Sequence, residues 1–113
     1  MSPLADAGVP AVITETESGT VGTWTWNGTA YDAVWNNGAI AVITVVSFTD
    51  ASVVFDRTDT AASSSAGLTA VYTGTVTPAG GGTGGSVVDG SVTWTWPGVA
   101  GFPGTGTWSA SWQ

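Results

Sequence analysis

The sequence Thr23-Trp24-Thr25-Trp26-Asn27-Gly28 recurs near the other end of the chain as Thr93-Trp94-Thr95-Trp96-Pro97-Gly98. Each copy alternates indoles with threonines and ends in a dipeptide that favours a turn. Side chains two residues apart on a strand share one face, so each copy predicts a β-strand with tryptophans on one side and hydroxyls on the other. An aromatic-x-Ala-x-Trp run follows each copy, at residues 31–35 and 108–112. The pattern therefore predicts two hairpins of one design.

Turn-forming residues divide the rest of the chain into short runs, and no helical period persists. These runs predict eight strands, at residues 9–17, 20–26, 30–35, 39–48, 52–59, 68–77, 86–96 and 105–112. Consecutive strands joined by short turns favour an antiparallel up-and-down meander, and eight of them can close into an all-β barrel without a free edge. A two-layer β-sandwich remains the alternative. The glycine-rich connection at residues 78–85 is expected to be mobile or a long hairpin loop.

The composition indicates a single domain over residues 1–113 that depends on its seven tryptophans for a core. The net charge of −7 arises from eight carboxylates opposed by one arginine, so nucleic acid and anionic membranes are expected to be poor partners. The longest apolar stretch, residues 39–46, is too short for membrane insertion as a helix. A surface with few charges and many hydroxyls favours an extracellular location or a particle surface. Residues 1–6 show no secretory signal, so a mature chain, or one exported without such a signal, is expected.

The chain lacks histidine, cysteine and lysine, and with them the bases and soft ligands that most catalytic and metal sites need. We therefore expect no enzyme activity, no cofactor and no metal. The eight acids are the remaining candidates for chemistry: Asp6, Glu15, Glu17, Asp32, Asp50, Asp56, Asp59 and Asp89. Most of them are predicted at turns or on the outer face, where a carboxylate serves solubility. A hard cation could use Asp50, Asp56 and Asp59, but turn capping is the favoured interpretation.

Arg57 is the single basic side chain of the sequence. Strand alternation places it on the same face as Val53 and Phe55, which is the face predicted to point inward. A guanidinium inside the barrel must be paired or stacked, for example with Asp59 or over a tryptophan ring. The favoured interpretation is an ion pair that closes one end of the barrel, and the alternative is a polar anchor at the mouth of a ligand pocket.

Rings that alternate with Thr or Ser are predicted to form the core, but several aromatics fall at strand ends beside amides. If those strand ends meet at one rim, they form a binding surface for a glycan or another neutral ligand. The candidate ligand-binding residues are Trp26, Asn27, Trp35, Asn36, Asn37, Arg57, Trp96 and Phe102. The run Asn27-Gly28-Thr29 also matches an N-glycosylation acceptor, and we interpret it first as a hairpin turn.

A set of short motifs spread over residues 20–112 carries a resemblance to a known type of domain. The motifs are Gly22-Thr23-Trp24, Ala33-Val34-Trp35-Asn36-Asn37-Gly38, Val53 to Asp59, Tyr72-Thr73-Gly74 and Gly106-Thr107-Trp108-Ser109-Ala110. Together they resemble a small Trp- and Gly-rich β-meander domain of uncharacterised bacterial proteins. The Gly-x-Trp pieces are also similar to those of calycin barrels such as lipocalins and avidins. The resemblance implies a meander fold and implies no activity.

Three functions remain open at this stage. The preferred hypothesis is a non-catalytic binding module, extracellular or on a particle surface, that recognises a glycan or another neutral ligand through its rim aromatics. The alternative is a structural subunit of a filament, coat or virion that self-associates through low-charge faces. A hollow interior lined by tryptophans and Arg57 would instead indicate a small-molecule carrier.

Overall fold

The computed structural model describes residues 8–79 and 84–113, and these residues form a closed eight-stranded antiparallel barrel. The strands are β1 (Val12–Glu17), β2 (Thr20–Trp26), β3 (Tyr31–Trp35), β4 (Ile40–Phe48), β5 (Ser52–Asp59), β6 (Thr69–Pro78), β7 (Gly85–Thr95) and β8 (Gly104–Trp112). Each strand pairs with the next along the chain, and β8 pairs with β1 to close the barrel. The predicted meander barrel is therefore confirmed, and the β-sandwich alternative is wrong.

The strand bounds follow the turn chemistry of the sequence closely. β1 begins at Val12 instead of residue 9, since Pro10 forms only an isolated bridge and has no N–H with which to extend the ladder. The turn between β2 and β3 is closed by a hydrogen bond from Asn27 N to Ala30 O of 2.9 Å, and Gly28 has φ +102°. The predicted hairpin turn at Asn27 thus forms. Residues 80–83 of the predicted glycine-rich connection lie outside the described residues.

Aromatic rings fill the centre of the barrel. The Trp24 ring centroid lies 5.1 Å from that of Phe55, 5.5 Å from that of Tyr72 and 6.1 Å from that of Trp108. All four side chains are essentially inaccessible to solvent, and small inward residues such as Ala33 leave room for them. Burial of each large ring removes on the order of 200 Å² from water, which stabilises the fold by several kcal/mol at about 25 cal/mol per Å². The centre is therefore a packed core.

Close approach of indoles to the barrel wall depends on glycine. Gly22 pairs across the β2–β3 ladder with Trp35, whose ring lies so near that a Cβ at Gly22 would stand 2.4 Å from Trp35 Nε1. Only a residue without a side chain leaves the indole this position. The same arrangement recurs where Trp94 covers Gly106, Trp108 covers Gly90 and Trp112 covers Gly85.

Alternation of strand direction sorts the turns between two ends. The turns after β1, β3, β5 and β7 gather at one end, here called the Arg57 end, at residues 18–19, 36–39, 60–68 and 96–103. The turns after β2 and β4 lie at the opposite end, where Trp26 donates a backbone hydrogen bond of 2.9 Å to Ala11 O. The described residues contain no helix long and apolar enough to cross a membrane.

Candidate functional site

A cavity of about 300 Å³ opens at the Arg57 end of the barrel. Its lining consists of Glu17, Ser18, Thr20, Trp35, Asn37, Ala39, Arg57, Ser65, Leu68, Trp94, Trp96 and Phe102. Five of the eight predicted site residues are in this set, namely Trp35, Asn37, Arg57, Trp96 and Phe102. Two other depressions of similar volume lie along residues 95–103 and on the outer face of β5–β7. Neither of them is lined by an arginine paired with a carboxylate beneath aromatic side chains.

Three of the predicted site residues lie elsewhere. Trp26 and Asn27 are at the opposite end of the barrel, so the condition for a shared binding surface, that the strand ends meet at one rim, is not met for these two residues. The Asn27 side chain accepts hydrogen bonds from the backbone of Thr29 and Ala30 and serves its turn. Asn36 is at the Arg57 end, where its side-chain oxygen accepts a hydrogen bond of 3.2 Å from Val21 N, and it does not line the cavity.

Arg57 forms the floor of the cavity and is 6% exposed. Its Nε and Nη2 donate to the two carboxylate oxygens of Asp59 at 2.6 and 3.1 Å, which is the bidentate geometry that favours arginine. Its Cζ lies 4.0 Å from the centroid of the Trp35 ring, a cation–π distance. Burial is the largest single effect and lowers the pKa of Arg57, but the hydrogen bonds and charge interactions with Asp59 and Tyr72 together outweigh it and hold the pKa above its usual value. The predicted pairing and stacking of this residue are confirmed, and the guanidinium remains charged.

Glu17 is the second charged group of the floor, although most acids are predicted to lie on the outside. Its Oε1 accepts from Tyr72 Oη at 2.7 Å and from Arg57 Nη1 at 3.3 Å, and its Oε2 accepts from Trp94 Nε1 at 3.1 Å. Burial, followed by the negative charge of Glu17, raises the pKa of Tyr72, so the phenol keeps its proton and donates it in this hydrogen bond. Glu17 thus links three strands at the cavity floor.

Glu15 lies one inward position deeper on β1 and is completely buried. Trp35 Nε1 donates to Glu15 Oε1 at 2.6 Å, and the protonated Glu15 carboxyl donates a hydrogen bond to the Glu17 carboxylate. Burial, followed by the negative charge of Glu17, raises the pKa of Glu15 to about 8. Glu15 and Glu17 are thus exceptions to the expectation that most of the acids lie at turns or on the outer face. Both share strand parity with Ile13, which is fully buried, and that parity was the signal for an inward position.

Asp59 completes the charged cluster from the end of β5. Besides Arg57, its Oδ2 accepts from Ser63 Oγ at 2.7 Å and from Ser65 Oγ at 2.5 Å. The turn at residues 60–68 therefore holds the carboxylate against the guanidinium. Asp56 faces outward on the other side of the same strand, so the hard-cation grouping with Asp59 does not form. Within residues 8–79 and 84–113, no group of acids is arranged to hold a metal ion.

Aromatic side chains form the walls above this floor. Trp96 and Phe102 meet edge to face with ring centroids 5.5 Å apart, and Trp96 Nε1 donates to Ala66 O at 3.0 Å. Both rings are only partly buried, and so is Trp94, whereas Trp35 is 6% exposed. The walls thus offer ring surface to a ligand while their polar edges are already bonded to the barrel.

The floor keeps unused hydrogen-bonding capacity. Arginine carries five N–H groups, and the bonds of Arg57 to Asp59, Glu17 and Tyr72 use four of them. One N–H on Nη2 therefore has no partner among the described residues. Glu17 accepts from Tyr72, Arg57 and Trp94, and the hydrogen bond from protonated Glu15 takes the remaining site of its carboxylate. One N–H donor is left beneath the aromatic walls.

Comparison with known proteins adds no relative to this description, because no family model, no curated protein and no solved structure matches the chain. The resemblance to bacterial β-meander domains and to calycin barrels stays a prediction from sequence motifs. Function is therefore inferred from the chemistry of the site itself.

Proposed function

We propose that the protein is a non-catalytic binding module that takes a small neutral ligand, such as part of a glycan, into the cavity at the Arg57 end. The observation that carries this proposal is the convergence of Trp35, Trp96 and Phe102 over the Arg57 floor around one 300 Å³ opening. Ligand sites commonly combine apolar or aromatic walls with a few placed polar groups in this way. A role outside the cell or on a particle surface belongs to the same proposal and is supported by the low charge of the chain.

Charge favours a neutral ligand. The floor holds one guanidinium and the carboxylates of Glu17 and Asp59, so an anionic ligand would meet a net negative site in a protein of net charge −7. A cationic ligand is attracted by this net charge, but the free polar group of the floor is an N–H of Arg57, from which an ammonium group cannot accept a hydrogen bond. The oxygens of hydroxyls and amides carry no net charge and can accept from this N–H.

A glycan-binding assay on a matched pair of tryptophan variants tests the proposal. Trp96→Ala removes a wall of the cavity, whereas Trp26→Ala removes a similarly part-buried indole at the opposite end. We expect the wild-type protein to bind at least one neutral glycan in a broad panel, with an affinity at least tenfold lower in Trp96→Ala and within about twofold of wild type in Trp26→Ala. Equal losses in the two variants, or no binding across the panel, would contradict the proposal.

Self-association is the second candidate function, because the outward face carries apolar side chains in addition to hydroxyls. The large exposed residues are Val12, Val21, Val34, Val42, Val46, Val71, Val88 and Val99. Exposed apolar side chains mark a contact between chains where they form a contiguous patch. A structural subunit should form oligomers whose mass rises with concentration in light scattering, and a constant monomer mass would reject this role. The packed centre leaves no space for a carrier's ligand within the barrel, so we do not propose that function.

A further inference from the structure

We infer that the cavity takes the terminal unit of a glycan chain end on, and that Arg57 donates a hydrogen bond to one hydroxyl of that unit. The inference rests on the proposed binding function and specifies its ligand. It follows from three properties of the site: the cavity is closed beneath, its floor has one free donor, and its walls are aromatic rings.

The cavity is closed beneath by the core. Arg57 and Glu17 are 6% and 7% exposed, and below them lie Trp24, Tyr72 and Trp108, which are inaccessible to solvent. A volume of about 300 Å³ is at the lower limit of ligand pockets, which accommodates one ring-sized group. An internal unit of a glycan continues at both ends and needs a groove open on two sides. A terminal unit continues at one end and fits a blind pocket.

The floor offers one donor to a ligand hydroxyl. A hydroxyl oxygen can accept from the free N–H of Arg57 Nη2. Arg57 is already held in place, since its Nη1 donates to Glu17 Oε1 at 3.3 Å and both residues bond Tyr72 Oη. The floor is therefore fixed before a ligand arrives, which reduces the entropy lost on binding.

The walls favour a ring with an apolar face. Trp94, Trp96 and Phe102 keep exposed ring surface, while Trp94 Nε1 and Trp96 Nε1 are already engaged by Glu17 and Ala66 O. The indoles thus present their carbon surfaces and contribute little further polar recognition. A sugar ring, with C–H groups on its faces and hydroxyls on its rim, matches walls and floor together.

A printed glycan array tests the inference across many sugars at once, so the identity of the sugar need not be assumed. The full chain can be labelled at its N-terminus, because it contains no lysine to compete for the amine reagent. We expect the bound glycans to share one terminal unit while their internal units differ. Glycans that share an internal segment but differ at their ends, or cyclic glycans bound as well as linear ones, would overturn the inference and leave the proposed function standing. Binding to no glycan would overturn the proposed function itself.

Deoxy analogues of the methyl glycoside of that unit then test the floor by calorimetry. Loss of the one hydroxyl that accepts from Arg57 should weaken binding to the wild-type protein at least tenfold, and loss of any other hydroxyl less than threefold. A uniform response to all deoxy analogues would refute the role of the floor.

Discussion

Replacement of Glu15 by glutamine should remove most of the pH dependence of stability between pH 4.5 and 8. The Glu15 carboxyl has a pKa of about 8 in the barrel and 4.5 when exposed in the unfolded chain. Between these values the folded protein keeps a proton that the unfolded chain has released, so wild-type stability falls as the pH rises. Below pH 4.5 both states are protonated and the full stability is present, and above pH 8 the loss is complete.

The size of this loss follows from the two pKa values. A difference of about 3.5 between 4.5 and 8 corresponds to about 5 kcal/mol at roughly 1.4 kcal/mol per pKa unit, of which about 3 kcal/mol has been lost at pH 7. The side chain introduced by Glu15→Gln carries no titrating proton, and its amide oxygen can still accept the Trp35 Nε1 hydrogen bond. The variant should therefore gain stability relative to wild type as the pH rises.

Urea unfolding monitored by tryptophan fluorescence at half-unit steps from pH 4 to 8.5 measures this difference. The control is Asp56→Asn on the outer face, which should follow the wild-type curve within about 0.5 kcal/mol, as surface substitutions commonly do. Parallel curves for wild type and Glu15→Gln between pH 5 and 8 would refute the argument. Such curves would mean that Glu15 is solvated or paired in a way that the buried position does not provide.

Three further substitutions test the packing and the charged cluster. Gly22→Ala places a methyl group against Trp35 Nε1 and should lower the unfolding free energy by about 1–3 kcal/mol, because the core becomes overpacked. A chemical denaturation midpoint equal to that of wild type would show that the indole can move aside. Arg57→Met leaves the carboxylates of Asp59 and Glu17 without their cation and should lower the unfolding free energy by about 3–5 kcal/mol at pH 7, and by less in acid. A loss of unfolding free energy that does not change with pH would contradict the ion-pair account. Ser63→Ala removes a hydrogen bond to Asp59 and one from Ile40 N, and calorimetric melting should report a loss of about 1.5–3 kcal/mol. A melting temperature within one degree of wild type would assign no role to that hydroxyl.

Local patterns predicted the barrel because several of them agree on one answer. The alternation of Trp24 and Trp26 with threonines, the turn at Asn27 and the aromatic-x-Ala-x-Trp runs each specify strands of the observed length. The pairing of Arg57 with Asp59 was also within reach of the sequence, since Asp59 shares its parity two residues away. Consistency between turn chemistry and side-chain alternation is what makes a meander readable from one sequence.

The site was predicted only in part, for two physical reasons. Strand alternation specifies a face but not an end, and the rim aromatics were grouped without following the direction of each strand. In an up-and-down barrel the second turn and the third turn lie at opposite ends, which separates Trp26 from Trp35. Glu15 and Glu17 were missed because carboxylates are rarely buried, and their burial depends on partners from β3, β5, β6 and β7 that no local pattern reveals.

The glycines beneath the indoles have a consequence for how this barrel can change over generations. A larger residue at position 22 fits the wall only if a smaller side chain replaces Trp35. The same holds for position 106 and Trp94. The glycine and the tryptophan of each pair are therefore expected to be retained or replaced together, although they lie far apart in the chain. Distant kin of this molecule should therefore be recognisable by joint retention of these pairs, even where the threonines around them have been replaced.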